Sequence, residues 1–371
     1  MSMAISGWGT FMEYFEQVVK VADTYVAEHD AQKLNWSWGE ALLMYSLSLL
    51  DDALGEEKYL PFYQAYADHH HRQGIVVDQS DTCAPVLVTN ELYKKTDDEK
   101  YLAMTAKGID YLKHEPRLFE DLINHNGHSH DSRDYPKSIW VDSIMMSGVF
   151  SAIAAKDFDD AELGEFARTQ PRQFAKYLQD PDSKLFHHSY WKILSRPYPR
   201  NLFWGRGNGW VVAALSMFLN YVEDVNARRI LREVSSALLA YQRADHYFDT
   251  VVNKPGDNYR ESSATALIAA GWLNAMSRGY LSMEYEKPAI NGFRAVVENL
   301  RIAGDRAYMT EISLWTIPMF LMPYRLKYGP YPGYKYVKTG ENIPYGVAAL
   351  ILAGIYYRDY INDKKTQGQP V

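Results

Sequence analysis

The chain of 371 residues contains one cysteine, Cys83, and no long apolar segment. A single thiol excludes an internal disulfide and a metal cluster built on several cysteines. No apolar run approaches the roughly 20 residues needed to span a bilayer, and the N-terminus lacks a basic segment followed by an apolar one. These absences predict a protein without membrane contact in the cytoplasm, or in the periplasm if a signal peptide was removed.

Long basic runs and linkers are also missing. The net charge is −7, and Lys and Arg occur singly or in pairs, so the sequence lacks the basic surface expected of a nucleic-acid binder. No stretch rich in Ser, Gly or Pro divides the chain, and we expect residues 1–371 to form one catalytic domain. Gly205, Gly207 and Gly209 do not follow a strand as in a dinucleotide motif, and no cofactor is predicted.

Aromatic residues are abundant, at 14% of the chain, with 29 Tyr and 9 Trp. Planar rings stack on the apolar faces of sugars, and buried Tyr and Trp keep a polar atom for hydrogen bonds. Composition alone is equally consistent with a sugar-binding protein and with a core rich in tyrosine.

Apolar residues recur at helical spacing through the whole chain. Two further segments, 185–188 and 247–252, are typical of short strands. Twelve helices joined alternately by short turns and long loops predict an all-α fold, an (α/α)6 barrel of six helical hairpins with short strands in the loops at one rim. The predicted helices are 11–28, 38–52, 57–71, 81–95, 98–113, 139–155, 160–179, 208–223, 227–243, 261–280, 286–302 and 344–361.

Two segments, 135–142 and 203–210, each place an ionisable residue among aromatic ones. Asp142 ends the first, close to Trp140, Met145 and Met146. An apolar pocket disfavours the charged form of a carboxylic acid and raises its pKa, so Asp142 is the candidate proton donor. The alternative is a helix N-terminal residue that favours the dipole.

Four ordered blocks resemble glycoside hydrolase family 105, the unsaturated rhamnogalacturonyl hydrolases, and the related family 88 of unsaturated glucuronyl hydrolases. The similarity runs from about Asn35 to Leu281 and returns near Tyr345. It implies an (α/α)6 barrel and a cofactor-free hydrolase that acts on unsaturated oligosaccharides, by hydrating the C4=C5 double bond of the terminal uronic acid. The blocks are 135–142, 185–188, 203–210 and 261–263.

The resemblance also implies a role for individual residues. Asp142 matches the family's general acid and base, and Asp81 its second acidic site residue, which we expect to raise the pKa of Asp142 as a like charge. Asp81 could instead cap a helix, because Ser80-Asp81 precedes an apolar run. The other residues expected at the substrate are Trp38, Trp140, His188, Trp204, Arg206, Trp210 and Tyr345.

Some of these assignments have a structural alternative. Arg206 could bind a carboxylate or a pair of hydroxyls, or pair with a structural acid, and Trp210 could be a stacking platform or core. Trp38 lies in a segment that differs from the Tyr-His-Gln-Gly version of the better-known pectin-acting members. It either shapes the subsite beyond the cleaved bond or packs in its helix. Tyr345 aligns with a position facing the site.

Two histidine clusters, 69–71 and 124–131, suggest a metal site. The first ends a helical pattern, where histidine favours the dipole. The second, with His128, His130 and Asp131, could chelate a metal from an extended loop, or lie beside the substrate, because it leads into the Asp142 segment. We predict no metal.

Two other functions stay open at this point: a sugar epimerase or isomerase, and a non-catalytic carbohydrate-binding barrel. The parent polysaccharide, whether rhamnogalacturonan, ulvan or glycosaminoglycan, and the oligomeric state are not predicted.

Overall fold

Helices account for most of the protein in a computed structural model, which describes residues 7–132, 135–318 and 329–368. A π-helical turn at Ile144–Val149 leads into α7, and 3₁₀ turns lie at Ala31–Lys33 and Met283–Tyr285. The helices are α1 Gly7–Glu28, α2 Trp38–Leu54, α3 Leu60–Gln73, α4 Ser80–Cys83, α5 Val86–Thr96, α6 Glu99–His114, α7 Phe150–Asp157, α8 Ala161–Leu178, α9 Gly205–Phe218, α10 Val225–Leu239, α11 Ser262–Ser277, α12 Glu286–Glu298, α13 Pro332–Lys335 and α14 Pro344–Thr366.

Six of these segments form a closed inner ring. Around the ring, α2 contacts α4 and α5, and these contact the π-helical turn and α7. The π-helical turn contacts α9, α9 contacts α11, α11 contacts α14, and α14 contacts α2. An outer layer of α1, α3, α6, α8, α10 and α12 packs against this ring. The protein is therefore an (α/α)6 barrel, which confirms the fold predicted from twelve helical patterns. No described helix is long and apolar enough to cross a membrane.

Inner and outer helices differ in their sequence patterns for a physical reason. Every residue of α9 is buried, and so are residues 262–276 of α11. In the outer helix α10 the buried residues form one stripe, Ala227, Ile230, Leu231, Val234, Ser235 and Leu238. A helix that is apolar on all sides is stable only inside other elements, whereas an amphipathic helix covers them.

Aspartate side chains begin three outer helices. Asp98, Asp160 and Asp224 occupy the N-cap positions of α6, α8 and α10, and each carboxylate accepts a hydrogen bond from a backbone N–H of the first turn. These bonds satisfy donors that have no partner inside the helix, which defines where each helix starts.

Short antiparallel strands link the loops at one rim. β3, β4 and β5 form a three-stranded sheet, and the pairs β1–β2, β6–β7, β8–β9 and β10–β11 are separate. The strands are β1 Arg117–Phe119, β2 Leu122–Ile123, β3 Ser138–Trp140, β4 Ser189–Trp191, β5 Arg196–Tyr198, β6 Phe248–Asp249, β7 Arg260–Glu261, β8 Arg301–Ala303, β9 Arg306–Tyr308, β10 Ile312–Ser313 and β11 Thr339–Gly340.

Four predicted elements differ in detail. The helix predicted at 139–155 begins later, because residues 138–140 pair with β4. The helix predicted at 81–95 is divided into α4 and α5 at Pro85, which has no N–H to donate. The strand predicted at 185–188 lies at 189–191, and only 248–249 of the segment 247–252 is a strand.

The N-terminal ends of the inner helices meet at the rim that carries these strands. Trp38 begins α2, Asp81 lies in α4, and Arg206 and Tyr345 lie in the first turns of α9 and α14. Glu261 is the N-cap of α11. Residues that are far apart in the sequence are therefore neighbours around one opening.

Candidate active site

A cavity of about 220 Å³ lies at this rim. Six of the nine predicted site residues line it, and His188, Trp210 and Tyr345 do not. Indole and carboxyl groups dominate its wall, which suits a ligand with both apolar faces and hydroxyls. The lining residues are Ser37, Trp38, Asp81, His125, Asn126, Tyr135, Trp140, Asp142, Trp204, Arg206, Trp315, Thr316 and Ile317.

Asp142 lies between β3 and the π-helical turn. Its residue is 7% exposed, and its Oδ1 has no hydrogen-bond partner among the described residues. Burial raises the pKa of Asp142 to about 6, while its own backbone and the charge of Arg206 oppose the rise. A buried carboxyl group with an unused oxygen and a pKa in this range can transfer a proton near neutral pH.

Asp81 is the second carboxyl group of the cavity. Burial, followed by the charge of Asp142, raises the pKa of Asp81 to about 8. Asp81 therefore keeps its proton at neutral pH and has no charge while Asp142 titrates. The pKa of Asp142 is raised as expected, but the cause is burial and not the charge of Asp81. The like-charge effect falls on Asp81 instead. The N-cap of α4 is Gln79, so Asp81 does not serve as a cap.

His125 connects Asp81 to the buried wall. Its ring stacks on Trp140 with centroids 4.0 Å apart and planes at 7°. Its Nδ1 lies 2.8 Å from Ser143 Oγ, and its Nε2 lies 3.6 Å from Asp81 Oδ1. Burial lowers the pKa of His125 to about 3, so the imidazole beside Asp81 is neutral and adds no charge to the cavity.

Arg206 is buried between two aromatic rings, with its guanidinium carbon 4.7 Å from the Trp204 centroid and 4.6 Å from that of Tyr345. Its Nη1 donates to the carbonyl of Ser313 at 2.9 Å, and its Nη2 donates to the carbonyl of Leu314 at 3.2 Å. Both terminal nitrogens therefore hold the loop that follows β10, although the side chain lines the cavity.

Glu261 completes this anchor. It lies 3.7 Å from Arg206 Nη1 and accepts hydrogen bonds from the backbone N–H groups of Ser263, Ala264 and Ser313, at 3.2, 2.6 and 2.9 Å. The Ser263 hydroxyl also donates to it, at 2.7 Å. The structural alternative for Arg206, a pair with an acid, is the arrangement that the structure contains.

Trp204 and His188 form a stacked pair at the cavity, with Trp204 in its lining. Their rings lie 4.1 Å apart at 22°, and His188 Nδ1 is 2.7 Å from the hydroxyl of Tyr334. Gly207 permits the approach of Trp204, because a Cβ there would lie 2.7 Å from the indole and 2.9 Å from Val141. Trp204 lines the cavity, whereas His188 supports it from behind.

The opposite wall is a stack of aromatic rings. Trp38 lines the cavity and lies on Tyr345, with centroids 4.7 Å apart at 18°. Trp210 meets Trp38 edge-on at 6.4 Å and is 1% exposed. Trp210 thus occupies the core position that was its alternative to a stacking platform. Tyr345 also lies beneath the surface of the cavity, where its hydroxyl donates to the carbonyl of Ser313 at 2.8 Å.

Sequence reasoning missed the 313–317 loop, the segment Ser313 to Ile317. Trp315 in this loop is 77% exposed, and it lines the cavity with Thr316 and Ile317. No motif or periodic pattern marks these residues. The signal that could have found them is a tryptophan in a segment without apolar periodicity.

The histidine clusters separate in the structure. His128, His130 and Asp131 are exposed, while His125 from the same segment lines the cavity. His70 lies at the end of α3 with its Nε2 2.9 Å from the carbonyl of Leu34. Within the described part of the chain, no three metal-binding side chains are grouped together.

Comparisons with known proteins find family 88 and the related family 105. The profile of Glycosyl Hydrolase Family 88 matches residues 13–360. The unsaturated rhamnogalacturonyl hydrolase YesR of Bacillus subtilis is 25% identical over 289 residues, which are 76% of this chain and 82% of that protein. An unsaturated 3S-rhamnoglycuronyl hydrolase of Alteromonas is 26% identical over 223 residues, 58% of this chain and 49% of that protein. A family 105 glycoside hydrolase structure from C. acetobutylicum has a TM-score of 0.81 at 21% identity, covering 92% of this chain and 99% of its own.

Proposed function

The chain belongs to glycosyl hydrolase family 88, and from this we propose that it removes the 4,5-unsaturated uronic acid from the non-reducing end of lyase-generated oligosaccharides. The observation that carries the proposal is Asp142, a buried carboxyl group with an unpartnered oxygen in an aromatic cavity. We assign the whole chain, residues 1–371, to one catalytic domain. A buried hydrophobic cluster that runs from Phe15 to Ile361 supports that assignment.

Asp142 supplies the proton in the proposed mechanism. Its O–H bond breaks as the electron pair of the C4=C5 bond forms a C4–H bond, and positive charge develops on C5 and the ring oxygen. Water adds to C5 and gives its proton to the Asp142 carboxylate, which restores the acid. The hemiketal formed at C5 opens by breaking its bond to the ring oxygen, and the hemiacetal left at C1 then releases the leaving sugar.

Neutral donors suit the substrate carboxylate in this site. Asp81 keeps its proton at neutral pH, and Asn126 Nδ2 has no partner among the described residues. Neutral groups can hold the carboxylate without placing a cation beside C5, where positive charge must develop.

The epimerase alternative has less support, because it requires two histidines that face the sugar as acid and base. Of the described histidines, only His125 lines the cavity, and burial lowers its pKa to about 3. His188 lies behind Trp204.

The test follows the ultraviolet absorbance of the conjugated double bond. The wild-type protein is incubated separately with lyase products of rhamnogalacturonan, ulvan and glycosaminoglycan. We expect absorbance to fall with at least one product, and we expect Asp142→Asn to lower turnover by about 100-fold or more while sugar binding persists.

Asp182→Asn serves as the matched control, because Asp182 is exposed and does not line the cavity. This control variant should match wild type. Constant absorbance with all three products and folded protein would overturn the proposal, as would an Asp142→Asn variant with wild-type turnover.

A further inference from the structure

We propose that Trp315 is the platform of a leaving-sugar subsite at the mouth of the cavity, and that this subsite takes a neutral sugar. The inference rests on the proposed function and names the class of leaving group. Its residues lie in the 313–317 loop, which carries none of the sequence motifs of the site.

The exposed side chain of Trp315 does not contribute to the hydrophobic core, so its exposure calls for another explanation. Seven large hydrophobic side chains are exposed among the described residues, and of these only Trp315 lines the cavity. Single exposed apolar residues are common on protein surfaces. An indole that is 77% exposed at the edge of an aromatic cavity is different, because its free face can cover a sugar ring.

The loop that carries Trp315 is held in place by buried groups. Arg206 and Glu261 bind the backbone of residues 313 and 314 from inside the barrel. The hydroxyl of Thr316 donates to the carbonyl of Leu314 at 3.2 Å. A platform fixed before the ligand arrives does not lose conformational entropy on binding. Arg206 is thus a positioning residue for this subsite.

Depth within the cavity decides which sugar meets Trp315. Asp142 is 7% exposed and Trp315 is 77% exposed, so they mark the closed end and the open end of the cavity. The unsaturated ring must lie against Asp142 to receive its proton. The sugar attached to it through C1 therefore extends toward the mouth and Trp315.

The charges at the mouth favour a leaving sugar without sulfate. Among the described residues that line the cavity, Arg206 is the one permanent cation. It is 1% exposed, its two terminal nitrogens donate to backbone carbonyls, and its Nε is buried with no partner among the described residues. A sulfate group is bound well where free cations can form charge-assisted hydrogen bonds.

The experiment measures kcat and KM for three substrates of wild type, Trp315→Ala and Trp315→Phe. The substrates are the methyl glycoside of the unsaturated uronic acid, the unsaturated uronyl-rhamnose disaccharide, and the same disaccharide sulfated at O3 of rhamnose. We expect Trp315→Ala to raise KM for the neutral disaccharide about tenfold, the upper range for one aromatic contact, and to leave the methyl glycoside within twofold. Trp315→Phe should restore most of the affinity.

Tyr336→Ala is the matched control, since Tyr336 is an exposed aromatic residue that does not line the cavity. Wild type should prefer the neutral disaccharide over the sulfated one by about tenfold or more in kcat/KM. Equal effects of Trp315→Ala on the methyl glycoside and the disaccharide would overturn the platform. A preference for the sulfated disaccharide would overturn the neutral subsite.

Calorimetric titration of Asp142→Asn, with and without Trp315→Ala, separates this inference from the proposed function. If wild type hydrates none of the substrates, the proposed function fails. The platform is still supported in that case by a tenfold loss of disaccharide binding, and contradicted by unchanged binding.

Discussion

Asp142 and Glu261 are both carboxyl groups buried where an inner segment of the barrel begins, yet their surroundings are opposite. Glu261 is 0% exposed and accepts hydrogen bonds from three backbone N–H groups and a hydroxyl, beside the guanidinium of Arg206. Asp142 is 7% exposed, and its Oδ1 has no partner among the described residues.

Local sequence produces this difference. Glu261 is followed by Ser262-Ser263 at the start of a regular helix, so donors converge on its carboxylate. Asp142 is followed by a π-helical turn of mostly apolar residues. A buried charge with all its partners stabilises the fold, whereas a buried acid without them retains a proton that it can give away. The comparison separates a structural acid from a reactive one.

The largest expected effect comes from removing the charge of Glu261. Glu261→Gln loses an acceptor for several backbone donors and leaves Arg206 without its counter-charge, so the free energy of unfolding should fall by about 3–5 kcal/mol. Denaturant unfolding followed by fluorescence measures it.

Glu284→Gln is the matched control, because Glu284 is exposed, and it should change the free energy of unfolding by less than about 0.5 kcal/mol. A Glu261→Gln protein as stable as this control would show that Glu261 is not the structural acid of the pair.

Removing the charge of Asp142 should raise the free energy of unfolding, the opposite of the effect at Glu261. The pKa of folded Asp142, about 6, lies above the value of about 3.9 in an unfolded chain, so stability is lost as pH rises through this interval. Asn cannot ionise, and Asp142→Asn should be more stable than wild type by roughly 1–3 kcal/mol at pH 8 and about equal to it at pH 4.

Unfolding at both pH values, with Asp182→Asn for comparison, checks this expectation. A stability difference that is the same at the two pH values would mean that the ionised form of Asp142 is not disfavoured by burial.

Much of the barrel was predictable from the sequence, because helical periodicity reports burial directly. Asp142 and Asp81 were found through their motifs, which lie in continuous segments. The contact of Arg206 with the 313–317 loop and the place of Trp315 in the cavity lining were not predicted. The first depends on carbonyls about a hundred residues away, and the second on a loop without a repeating pattern. The strand at 138–140 was also missed, because its partner is β4, fifty residues later.

The pH dependence of turnover tests the reactive acid more finely. In the proposed mechanism Asp142 must be protonated to act on C4. The value of kcat/KM should therefore be constant well below pH 6 and fall about tenfold for each pH unit well above it. The assay is the loss of ultraviolet absorbance across pH 4–9, with folding monitored at each pH. A falling limb near pH 8 would assign the essential proton to Asp81 instead.

The smallest expected effect is that of Asp81→Asn on the pH above which kcat/KM falls. The variant should turn over more slowly, because Asp81 lines the cavity, but its residual activity should fall above the same pH as wild type, within about half a unit. The reason is that burial, and not the charge of Asp81, raises the pKa of Asp142. If activity instead began to fall at a pH lower by one unit or more, the two carboxyl groups would repel each other as charges, and Asp81 would ionise before Asp142.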